Sequence, residues 1–149
     1  MARPKPKKWT PQNPDKYIGN VDNIISRSSW ESKAMSFLDG NTSVLAWASE
    51  EFSIKYVSPL DNKVHRYFCD FLAKIQSKNG DIKMYLLEVK PHAERFIPTT
   101  KNKKLFLTQM QTYLVNQAKW KAAEEFCKLK NIIFLVLDEY DMGIKKRPK

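Results

Sequence analysis

The sequence has little cysteine, only two histidines, few acids and no long apolar run, and each scarcity removes a class of function. Its two cysteines, Cys69 and Cys127, both lie inside apolar stretches. They suit buried free thiols in a reducing compartment and exclude a disulfide framework. Neither has a second ligand at metal-finger spacing, which excludes a structural zinc site. The longest apolar run, 132–137, is far short of the roughly 18 residues of a membrane span, so a soluble protein with no membrane association is expected. The basic residues near the amino terminus have no apolar segment after them, so no secretory signal is expected either. There are no internal repeats, no RNP-like aromatic strand and no GXXG loop, which argues against an RNA-binding module. The 16 acids face 26 Lys+Arg, for a net charge of +10. A surplus of that size makes a polyanion the expected partner, nucleic acid before an anionic membrane surface.

What remains is an ordinary globular chain of 149 residues, 42% apolar and 12% aromatic, enough for one domain with a sizeable core. The charge is uneven. Residues 1–20 and 145–149 hold nine of the basic residues and one acid, leaving the middle nearly balanced. Four of the eight prolines stand at positions 4, 6, 11 and 14. Residues 1–20 are therefore expected as a flexible basic arm, 21–140 as a single domain and 141–149 as a basic tail. Both tails are solvated chain that contacts phosphates.

The spacing of Trp30, Ala34, Phe37 and Leu38 predicts a helix over 27–39, stopped by Asp39-Gly40-Asn41. Strands are expected at 44–48, 51–58, 64–75 and 83–90, the last two joined by a hairpin at Asn79-Gly80. A long helix follows over 103–130, with an apolar stripe of Leu105, Met110, Leu114, Ala118, Ala122 and Phe126. The run 132–137 reads as a strand buried inside a sheet. The order predicts an α/β sandwich with a mixed sheet. Trp9, Trp47 and Trp120 are expected as packing aromatics.

Two strands carry charges where apolar residues are expected, and charged residues are almost never fully buried unless paired or ligated. Asp70 interrupts Tyr67-Phe68-Cys69-Asp70-Phe71-Leu72; Glu88 and Lys90 interrupt Met84 to Lys90 and share one face. The hairpin register decides whether Asp70 joins them. A two-residue turn at Asn79-Gly80 sets Asp70 opposite Val89, on the wrong face. A three-residue loop with Gly80 left-handed sets it opposite Glu88, with β-carbons about 4.5–5.5 Å apart. Two carboxylates that close repel unless a cation lies between them, and Mg²⁺, with Mn²⁺ as a substitute, suits oxygen ligands. Asp70, Glu88 and the Val89 carbonyl are the expected metal ligands, for phosphodiester hydrolysis, and Lys90 is expected to orient water or stabilise developing negative charge. The competing reading makes Glu88 and Lys90 an exposed ion pair at a strand end. Glu31 also has two readings. In Ser28-Ser29-Trp30-Glu31 it is the acid of a capping box, or it leans over the metal pair as a third catalytic acid, with Arg27 nearby for phosphate.

Glu31, Asp70 and Glu88-Val89-Lys90, in that order on helix, strand and strand, resemble the PD-(D/E)XK nuclease superfamily across about residues 24–137. The proline of the family name is replaced by Cys69. The resemblance implies a restriction-endonuclease-like αβββαβ core with a central mixed sheet flanked by helices. Gln109 and Tyr113 are similar to the Q-x-x-x-Y motif of its RecB-like branch, which implies a reach to DNA; the plainer reading is a surface glutamine and a half-buried tyrosine. Arg27-Ser28-Ser29-Trp30-Glu31, Phe68-Cys69-Asp70-Phe71 and Leu87 to Pro91 further resemble the head completion nucleases of T-even-like tailed phages. A similar arrangement occurs in the endonuclease subunit of heteromeric cut-and-paste transposases. These likenesses imply a structure-selective DNA endonuclease acting on ends or branches before tail attachment, in the host cytoplasm or the virion, with phage head and neck proteins as partners. His92, Lys101, Lys103 and Lys104 are solvated residues by default and DNA contacts if the site is real. The competing class is a basic structural or adaptor protein of the virion that binds DNA without cutting it.

Overall fold

The computed structural model describes residues 5–148. Four strands form a mixed sheet in the order β3 (Val44–Ser49), β6 (Phe71–Gln76), β7 (Ile82–Val89) and β8 (Ile132–Leu137). The first three are antiparallel neighbours, and β8 runs parallel to β7. Helix α1 (Ser29–Gly40) covers one face and α2 (Lys103–Lys130) the other. Alternation along β7 makes this sandwich: Leu87 packs with Met35, Leu38, Trp47 and Phe71 under α1, while Leu86 packs with Trp120, Ala123 and Cys127 under α2. With the αβββαβ order and the mixed sheet, this is the restriction-endonuclease-like arrangement. Both cysteines are free and buried.

The helices begin and end where their caps dictate. Ser28 accepts the Glu31 amide at 3.1 Å at the head of α1, and Asn102 accepts the Leu105 amide at 3.0 Å at the head of α2. Asn131, left-handed with φ 58°, closes α2.

Four expectations are corrected. The stretch 64–75 is not one strand. It divides at Cys69-Asp70 into β5 (Val64–Phe68), which pairs only with β4 (Ser53–Val57) in a separate two-stranded ribbon, and β6. The break has a local cause: the Asp70 side chain takes the Val89 amide at 2.7 Å, which an uninterrupted ladder would give to a backbone carbonyl. Strand β8 lies at the sheet edge rather than inside it, with Leu135 41% exposed. The expected stripe on α2 fails at its amino-terminal half, where Leu105 and Leu114 are exposed. The buried residues are Asn116, Trp120, Ala123 and Cys127, because only the second half of the helix lies over the sheet.

The fourth correction concerns the arm. Residues 1–4 lie outside the described residues, but β1 (Lys7–Lys8) pairs with β2 (Ile25–Ser26), and Trp9 stands edge-on to Trp47 at 5.6 Å. Tyr17 is buried against the same ring. Buried Asp39 accepts the amides of Gln12 at 2.8 Å and Asn13 at 3.2 Å. Between the short strand β1 and the 3-10 turn Pro14–Lys16 the chain still has amides to satisfy, and a helix-end carboxylate takes them. The carboxy-terminal tail turns back so that the Ile144 and Lys145 amides meet the Glu139 carbonyl, and Arg147 pairs with Asp141. Lys149 lies outside the described residues.

Candidate active site

The hairpin between β6 and β7 has the three-residue register. Phe71 pairs with Leu87 and Gln76 with Ile82, the Ser77 amide donates to the Asp81 carbonyl at 2.8 Å, and Gly80 takes φ +91°. Glycine is needed there because other residues rarely adopt that angle. Continued past the ladder, this register sets Asp70 opposite Glu88. Both line one cavity of about 350 Å³ with Ser28, Trp30, Glu31, Val89, Lys90 and Pro91.

Four carboxylates converge on this end of the sheet. Oxygens of Glu31, Glu50 and Asp70 lie within 4.8 Å of one another. Glu88, 6% exposed, stands beside them: the Tyr67 hydroxyl donates to its Oε2, and the Lys90 Nζ is 3.8 Å from its Oε1. Burial pushes the Asp70 carboxyl well above its ordinary value and the neighbouring Glu88 charge pushes it further, against the Val89 N–H that favours the charged form. Burial also raises Glu88, opposed by the Tyr67 hydroxyl, Lys90 and Lys119. Glu31 is raised by burial and then by Glu50. The chain thus spends folding energy to hold acids that crowd one another.

Glu31 sits at the helix cap and at the acidic cluster together: its amide donates to the Ser28 hydroxyl at 3.1 Å, that hydroxyl donates to its Oε2 at 3.3 Å, and the same carboxylate belongs to the cluster. The Arg27 guanidinium, through Nε and Nη2, reaches both oxygens of Glu50 at 3.2 Å.

Three site residues were not legible in the sequence. Glu50 ends β3 in the left-handed region, φ 53°, and its amide donates to the Asp70 carbonyl at 3.2 Å; that turn carries its carboxylate to the cluster. Such a conformation is uncommon for a residue with a side chain and concentrates at functional sites. Its one signal is an acid separated from the apolar run 44–48 by one residue. Tyr67, 3% exposed, comes from the separate ribbon. Lys119 lies on α2 with its Nζ 5.6 Å from the Tyr67 ring centroid and 5.9 Å from that of Tyr56. Burial lowers its pKa and Lys90 lowers it further, while Glu88 pulls it back.

Other expected residues lie elsewhere. His92 donates its amide to Glu139 at 3.0 Å, and its ring Nδ1 is 2.8 Å from Asp138 Oδ2. Those three residues form a second cluster, but Asp138 also accepts the Tyr140 and Asp141 amides and the Arg95 guanidinium, so its oxygens are already engaged. The cluster locks the segment after β7 to the end of β8. Gln109 and Tyr113 line a different cleft with Glu94, Phe96 and Pro98. Lys101, Lys103 and Lys104 are exposed at the head of α2.

The donor set suits a hard divalent cation. It is rich in carboxylate oxygen, poor in nitrogen and free of sulfur, and its four acids exceed the three nearby cations, Arg27, Lys90 and Lys119. No helix of the described residues is long and apolar enough to cross a membrane. The chain is 36% identical over 138 residues, 89% of each sequence, to the head completion nuclease of Enterobacteria phage T4. The family model described as TnsA-like endonuclease N terminal matches residues 41–139, which include Glu50, Asp70, Glu88 and Lys90. The chain belongs to the TnsA-like endonucleases, nucleases of the PD-(D/E)XK superfamily with the restriction-endonuclease-like fold.

Proposed function

We propose that the chain is a Mg²⁺-dependent endodeoxyribonuclease that finishes DNA ends or branches in the packaged head of a tailed phage before tail attachment. The observation that carries this reading is the crowding of Glu31, Glu50, Asp70 and Glu88 at one end of the sheet beside Lys90. In this reading Asp70, Glu88 and the Val89 carbonyl hold the ion, and Mn²⁺ can take its place. When bound, the ion supplies Lewis-acid polarisation of the phosphodiester and a more acidic water.

The chain's own groups do the rest. Asp70 is aimed by the Val89 amide and Glu88 by the Tyr67 hydroxyl, so both carboxylates are set before any ligand arrives. Lys90 projects from the end of β7 on the same face as Glu88, where its ammonium offsets negative charge gathering on the phosphate. Glu31 and Glu50 keep a polyanion out until cations balance them. Arg27 leaves Glu50 to take a phosphate. The single nuclease domain includes the docked segment that carries Trp9 and Tyr17, and the basic residues of both termini add salt-sensitive affinity for DNA.

The relative's name, head completion nuclease, supports a substrate at the packaged head; in this reading the partners are phage head and neck proteins, in the host cytoplasm or the virion. The test is to incubate the purified chain with Mg²⁺ and a panel of duplex, single-stranded, forked and flapped DNAs. Cleavage of one or more of them that stops with EDTA is the expected result. DNA binding without cleavage of any would instead make the chain a structural DNA-binding protein.

A further inference from the structure

The β4–β5 ribbon is an addition to the αβββαβ core, and its two faces differ. Its inner face, Ile54, Tyr56 and Tyr67, packs with Trp120, Ala123 and Phe126 of α2. On the outer face the register sets Lys55 directly opposite Arg66 and Val57 opposite Val64. Both basic residues are exposed, as is Lys63 in the connecting turn, and none of the three forms an ion pair among the described residues. Val57, Val64 and Phe68 on the same face are each more than half exposed. Like charges directly opposite on a sheet destabilise it, so the fold gains nothing from this pairing; an anion lying across the ribbon does. A two-stranded ribbon is also narrow enough to lie along the major groove.

We infer that the outer face of the β4–β5 ribbon seats the duplex on one side of the cut, with Lys55, Lys63 and Arg66 on its phosphates. This rests on the reading of the chain as a DNA nuclease. The ribbon is attached directly to the site, since Phe68 is two residues from Asp70 and Tyr67 on its inner face meets Glu88. At about 3.3 Å per extended residue, Lys63 lies roughly 20 Å of chain from Asp70. At about 3.4 Å per base pair, the ribbon reaches roughly six base pairs from the scissile bond, on one side only.

The test is duplex binding by the full chain in EDTA, measured by fluorescence anisotropy from 50 to 200 mM salt, with hydroxyl-radical footprinting. Lys55→Gln/Arg66→Gln is compared with wild type and with Lys128→Gln/Lys130→Gln, which removes the same charge at the far end of α2. The ribbon variant is expected to bind roughly 10- to 60-fold more weakly at 0.1 M salt, to lose about 2 from the slope of log K against log salt, and to lose the outlying footprint. The far-end variant is expected to match wild type, and Arg66→Lys to keep the wild-type slope. Wild-type affinity and slope in the ribbon variant would overturn the inference and assign the exposed Val57, Leu60 and Val64 to a protein partner. A wild-type chain that neither binds nor cuts DNA would instead remove the nuclease reading itself.

Discussion

Asp70→Asn should stabilise the metal-free protein, because the wild-type carboxylate is held among like charges. Oxygens of Glu31, Glu50 and Asp70 lie no more than 4.8 Å apart. Two unit charges at that separation repel by about 3.5 kcal/mol at an effective dielectric of about 20. Solvent around the partly exposed side chains screens most of this, and Arg27 offsets part of the Glu50 charge. A net gain of about 1–2 kcal/mol is expected at pH 8, which is a rise in Tm of about 2–8 °C for a chain of this size. Asparagine keeps the oxygen that accepts the Val89 amide, so the aim of the side chain survives.

The pH dependence follows from the direction of the shifts. Asp70, Glu88 and Glu31 are all raised, so between the ordinary carboxylate range and their own values the folded chain binds more protons than the unfolded one. Wild-type stability therefore falls as pH rises through that window, and the advantage of the variant fades as pH drops below it. Mg²⁺ should reverse the order: at a hundred times its dissociation constant it adds about 2.7 kcal/mol to wild type and much less to the variant. Scanning calorimetry in EDTA and in Mg²⁺, at pH 5 and pH 8, measures each of these. A variant less stable than wild type by the same amount at both pH values, with no effect of Mg²⁺ on either protein, would refute the argument.

Two further outcomes follow from contacts around the site and the core. Tyr67→Phe removes the donor to Glu88 Oε2 and leaves the ring beneath Lys119; the Mg²⁺ concentration for half-maximal cleavage should rise about 10- to 100-fold, checked by metal titration, with the folded structure unchanged by circular dichroism. Asp39→Ala strips the Gln12 and Asn13 amides of their acceptor, so denaturant melts should show a loss of about 1–3 kcal/mol and limited trypsin digestion should cut faster after Lys8 and Lys16.

The pairing of Asp70 with Glu88 was one of two registers the sequence left open, since a left-handed Gly80 fits a two-residue turn as well as the three-residue loop the structure has. The extent of α2 was legible from its helical spacing, but that spacing could not say that Leu105 and Leu114 lie beyond the edge of the sheet. The division of 64–75 was not, because it turns on one side-chain hydrogen bond, Asp70 to Val89. Glu50 escaped for a related reason: a single left-handed residue redirects it, and no pattern of residue types announces that angle. The docked amino-terminal segment had its signal in Trp9 and Tyr17 among the prolines, but the carboxylate that holds it, Asp39, reads in sequence only as part of a helix stop.

The proposed function requires the acids beside Lys90 to form a metal-dependent DNA-cutting centre. Single-turnover cleavage of the preferred DNA from the panel, by wild type and Glu88→Gln over a Mg²⁺ series, tests it most directly. Glu88→Gln keeps the shape of the side chain and removes its charge. Wild-type cleavage that requires Mg²⁺, with a loss of about 10³-fold or more in the variant at unchanged DNA affinity, is the expected result. Equal cleavage by the two proteins, or wild-type cleavage indifferent to EDTA, would contradict it.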